Sequence, residues 1–82
     1  MEPYKSFAGK DIIMNFHPAS VEIIERDSRE IIPIRSIEWI SFEHPETPTA
    51  SIFIYSGKHA HRFSGAQTAE VYDLLLRVLN EQ

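Results

Sequence analysis

Two cations and two imidazoles fall within five residues at Lys58-His59-Ala60-His61-Arg62, the densest chemistry in the chain. Lys and Arg donors suit phosphate and carboxylate oxygens, so the run is a candidate pocket for a small anion, weighed against a solvated turn followed by an ordinary polar strand face. His59 and His61 lie two apart, which on a strand projects both from one face, about 6 to 7 Å from each other. Two imidazoles can chelate a metal, but a site with affinity needs three or four ligands. The remaining histidines, His17 and His44, fall on distant segments, so no metal site is expected.

Trp39 is the only tryptophan. In an Ile-rich strand it is expected in the core. Projecting from the sheet beside Arg35, it would instead stack on a planar group or anchor a partner, since Trp is favoured at interface hot spots. The acids Asp11, Glu22, Glu25, Glu43 and Glu46 are scattered, with no nucleophile or Gly-rich phosphate loop beside them. Ser36, Ser41, Ser51 and Ser56 lack the surroundings of a nucleophile elbow. The residues assemble no catalytic machinery and call for no cofactor, so the expectation is a protein that is not an enzyme.

The elements that must position these side chains are few, because 82 residues make one small domain with a modest core, spanning 1–82. Twelve Asp and Glu against eight Lys and Arg give a net charge of −4, which disfavours duplex nucleic acid. With no cysteine, disulfides and thiolate zinc sites are excluded. No run approaches the roughly 18 to 20 apolar residues of a membrane span, and the first residues do not read as a secretory leader. A cytoplasmic protein is expected.

Eleven isoleucines, all before residue 55, point to β-structure, since β-branched side chains suit a pleated surface. Asp11 to His17 alternates, with Ile12, Met14 and Phe16 inward. Ser20 to Arg26 carries Val21 and Ile23 on one face, and Arg26-Asp27-Ser28-Arg29 reads as a hairpin turn into Glu30 to Ile34. Pro33 sets that strand at an edge or ends it. A strand from Ile37 to Glu43 precedes a Pro-rich loop at His44 to Thr49. Ala50 to Tyr55, turning through Ser56-Gly57-Lys58 into His59 to Phe63, is the clearest hairpin. The strands therefore lie at about 11–63, while residues 1–10 are open between a strand and a loose surface segment.

Ser64-Gly65-Ala66-Gln67 fits a capping box, predicting a helix over about 65–80. At 100° per residue, Glu70, Asp73, Arg77, Asn80 and Glu81 gather on one side. The apolar positions from Val71 to Leu79 cover an arc of about 200°, wider than the stripe of roughly 100° that one sheet needs. Tyr72, Leu76 and Leu79 on one flank are therefore expected to meet a second copy or another protein, unless the curled sheet wraps both flanks.

Five to seven short strands followed by one C-terminal helix make an α+β arrangement on a bent antiparallel sheet. The stretch from Ile32 to Ile40, then Ile52-Phe53-Ile54-Tyr55-Ser56-Gly57-Lys58, Arg62-Phe63 and the Leu-rich helix, resembles bacterial pleckstrin-homology-like and GRAM-like domains over roughly residues 30–80. That resemblance implies a split barrel capped by the helix, in a small bacterial or phage-type protein that serves as a binding module. This chain is shorter than a full barrel of that kind, and an unclosed edge invites pairing with another chain. The expected function is a non-enzymatic protein-interaction module, working as a homo-oligomer or docked on a partner protein. The alternative is a sequestering protein for a small anionic or nucleotide-like ligand at a subunit interface, with Lys58, His59, His61 and Arg62 supplying charge and Trp39 or Tyr55 a stacking surface.

Overall fold

A computed structural model describes residues 2–81. Seven antiparallel strands form two sheets, followed by one C-terminal helix. The first sheet is an up-and-down meander of β1 (Lys5–Gly9), β2 (Ile12–His17), β3 (Ser20–Glu25) and β4 (Ser28–Pro33). A 3₁₀ turn at Ile34–Ser36 leads into the second, β5 (Trp39–Glu43), β6 (Ser51–Ser56) and β7 (His59–Ser64). Helix α1 spans Thr68–Asn80.

Alternation does the sorting, because successive side chains on a strand point to opposite faces. Phe7, Ile12, Met14, Phe16, Val21, Ile23 and Ile32 are buried on the inner face of the first sheet, and Ile52, Ile54 and Phe63 on that of the second. Val71, Leu75 and Val78 of α1 complete one shared core. The two sheets do not close into a barrel, and where one bent sheet was expected there are two. At one corner the Lys10 N–H donates to the Ser64 carbonyl across 2.8 Å. Gly9 allows that approach, since a Cβ there would stand 2.6 Å from the same oxygen.

Three local expectations are corrected, and the alternative left open at residues 1–10 is decided: they contain β1, whose Phe7 packs edge-on against Phe16. The β3–β4 turn is two residues, Arg26 and Asp27, with Ser28 and Arg29 already paired in β4. β5 begins at Trp39 rather than Ile37. The capping box does not form: Ser64 ends β7, Gly65 takes a φ of 146°, and the helix starts at Thr68 with no side-chain cap. Ser64 is instead held by strand pairing, and its carbonyl by Lys10.

The wide apolar arc of α1 is largely absorbed within the chain. Leu74, Tyr72 and Leu79 are half-buried against the core, the Tyr72 ring lying 4.7 Å from that of Phe42. Leu76 alone among the helix's large apolar side chains is counted exposed, at 39%. No helix among the described residues is long and apolar enough to cross a membrane.

Candidate interaction surface

The hairpin β6–β7 splits the candidate anion residues between two faces. His59 and His61 share the inner face of β7, as their spacing predicts, while Arg62 is on the outer face opposite Phe53. There its Nε donates to Ser51 Oγ across 3.2 Å. Lys58 sits in the exposed turn. The four side chains therefore do not converge on one pocket.

His61 is also in the wrong company for an anion. Its side chain is only 10% exposed, with Nδ1 3.1 Å from Glu25 Oε1 and Nε2 abutting the Glu30 carboxylate. The Nε2 contact lacks hydrogen-bond alignment. Both carboxylates come from the first sheet, so the imidazole bridges β7 to β3 and β4, where no backbone ladder joins the sheets. His59, well exposed, stands 3.9 Å from the other Glu30 oxygen. Two carboxylates beside two imidazoles repel phosphate and attract cations. Among the described residues, however, no group of three or more His, Asp or Glu side chains is placed to hold a metal ion.

Trp39 reverses the core expectation. It is 55% exposed and lies flat on Tyr55, centroids 4.0 Å and planes 12° apart. The reason is register: Trp39 pairs with Tyr55, and Ile40 with Ile54, so the isoleucines take the inner face and the aromatic rings the outer one. Stacking on a cross-strand neighbour covers one face of the indole and leaves the other open. Beside it, the Gly57 N–H donates to Glu38 Oε1 across 2.6 Å, tying the β6–β7 turn to the start of β5.

Sequence reasoning missed two groupings. Glu25 ends β3 and Glu30 lies in β4, on either side of a polar turn, and nothing in their spacing signals an imidazole 36 residues away from Glu25. On the outer face of the first sheet, Ser6 Oγ donates to Asn15 Oδ1 (2.7 Å) and Asn15 Nδ2 to Glu22 Oε1 (3.0 Å). Arg29 Nε lies 3.3 Å from Glu22 and His17 Nε2 3.7 Å. The Asn15 hydrogen bond, reinforced by Arg29 and His17 and opposed by burial, holds the Glu22 carboxyl below its ordinary value. The alternating polar positions of β1, β2 and β3 were a usable signal for this ladder once β1 was recognised.

No protein-family model, curated protein or solved structure matches the chain.

Proposed function

We propose that this chain is a non-enzymatic protein-interaction module of pleckstrin-homology-like architecture, docking on a partner protein or on a second copy of itself. The observation that carries the reading is the open face of Trp39 on its Tyr55 platform. An indole held rigid by a neighbouring ring loses little freedom on binding, which is why Trp dominates interface energetics. Four and three antiparallel strands with a C-terminal helix support the architectural resemblance. The cysteine-free composition supports a cytoplasmic setting.

The small-anion alternative loses its support, because Arg62 and His61 diverge and His61 is flanked by acids. The test compares the full chain with its Trp39→Ala variant by light-scattering mass and by quantitative capture from cells that make the protein. The wild-type chain is expected in a stoichiometric complex, or at a multiple of 9.5 kDa, with the variant's share reduced about tenfold or more. A lone 9.5 kDa chain without a stoichiometric partner, or a complex indifferent to Trp39→Ala, overturns the reading.

A further inference from the structure

Two open sheets leave four edge strands, and an exposed edge is a template for pairing unless something blunts it. Three carry the usual protections. β1 has Lys5, β4 has Arg29 and ends in Pro33, and β7 has Arg62 with His59 and His61. β5 reads Trp-Ile-Ser-Phe-Glu, with no Lys, Arg or Pro. Among the described residues its backbone bonds run to β6, including the extension from Glu38 N–H to the Tyr55 carbonyl, and none leaves its other side.

The surroundings of this edge are apolar in the middle and acidic at the rim. Ile40 and Phe42 face inward but stay half-buried, because nothing continues the sheet past them. Tyr72 meets Phe42, and Leu76 lies one turn further along that helix flank. A cavity of about 530 Å³ opens at the Phe42 end, walled by Ala50, Ala66, Ala69 and the prolines of the 45–48 loop. Glu43 and Glu46 stand exposed at that end, and the chain has no Lys or Arg between Arg35 and Lys58.

Resting on the interaction-module reading, we infer that β5 takes an extended, basic segment of a partner protein as an added antiparallel or parallel strand. Its alternate apolar side chains rest on Ile40, Phe42 and the Tyr72–Leu76 flank, and its Lys or Arg residues meet Glu43 and Glu46. Backbone pairing supplies the attachment and the alternate pockets supply selectivity. Charge excludes a second copy as the occupant. Antiparallel self-pairing about Ser41 would set Glu43 opposite Trp39 of the other copy, beside that copy's Glu38, and gather like charges at both ends of the new ladder.

The test measures fluorescence anisotropy of three labelled eight-residue peptides against the full chain. One alternates Lys with Val and Ile, a second has Glu in place of each Lys, and the third is the Lys peptide N-methylated at every internal amide. The Lys peptide is expected to bind, more weakly as salt rises, with the Glu peptide at least about tenfold weaker. N-methylation is expected to abolish binding, because it removes the pairing donors. Glu43→Lys with Glu46→Lys, both surface changes that leave the core untouched, is expected to weaken the Lys peptide at least about tenfold. Equal binding of Lys and Glu peptides, or of the N-methylated form, overturns the inference. So does silence of all three while Trp39→Ala still dissolves a cellular complex, in which case the module reading stands; silence in both experiments removes both. A concentration-dependent mass without peptide binding means the edge pairs with a second copy and overturns the basic-segment assignment.

Discussion

Trp39 lies flat on Tyr55 across the β5–β6 pair, ring centroids 4.0 Å apart, with more than half of the indole in solvent. A cross-strand aromatic pair of this kind contributes about 0.5–1.5 kcal/mol beyond its buried area. Trp39→Ala loses the covered part of the indole as well, and should therefore lower unfolding free energy by more than that increment while leaving the strands intact. Acrylamide should quench the native fluorescence of this single tryptophan strongly. A shielded indole, or loss of fold on substitution, would contradict the outward placement.

Removing the imidazole that spans the two sheets should also destabilise the fold. His61→Ala leaves Glu25 and Glu30, each more than a third exposed, to be rehydrated, so the cost is that of one lost hydrogen bond, about 0.5–1.5 kcal/mol. The change should also couple to Glu25→Gln, the double variant losing less than the sum of the singles. Urea unfolding of the four proteins gives the coupling; strict additivity would mean that the 3.1 Å contact contributes nothing.

Acid should expose the role of Glu22. Its folded carboxyl is held below the ordinary value, mainly by Asn15, so the stabilisation is full above the ordinary carboxylate range and is lost as pH falls through the lowered folded value. The gap in Tm between wild type and Glu22→Gln should be open at neutral pH and close in acid. A gap that widens as pH falls would reverse the sign.

Gly9→Ala should be the most damaging single methyl. The added Cβ would meet the Ser64 carbonyl at 2.6 Å and the Phe63 ring at 2.9 Å, forcing the sheet corner apart at a cost of about 1–3 kcal/mol. At Gly57, φ is +61° with nothing within 4 Å, so alanine there strains only the backbone, by about 1–2 kcal/mol. Thermal melts of the two variants should rank them in that order.

Strand-level structure was legible where local alternation carried it. Ile12, Met14 and Phe16 point inward because period-two burial is written directly into β2, and the helix polar face from Glu70 to Arg77 follows from its own periodicity. What failed depended on pairing partners distant in sequence. Trp39 faces out because Ile40 must meet Ile54, a fact of register that β5 alone does not contain. Ser64 has capping-box chemistry, yet its backbone is claimed by β6 and Lys10, so tertiary pairing overrides the local motif. The anion cluster failed similarly, since adjacency along β7 puts Arg62 and His61 on opposite faces, and only sheet docking brings His61 to Glu25 and Glu30.

The seam at Gly9, Lys10 and Ser64 also bears on how the chain assembles in time. Every paired strand is the next one in sequence, so each sheet can zip from short hairpins with little loop-closure entropy, whereas the seam joins positions more than fifty residues apart. Docking of the two meanders is then expected to follow their formation. Substitutions at the corner should leave the refolding arm of a chevron nearly unmoved and raise the unfolding rate, which would make this glycine-lined junction a determinant of how long the folded chain lasts.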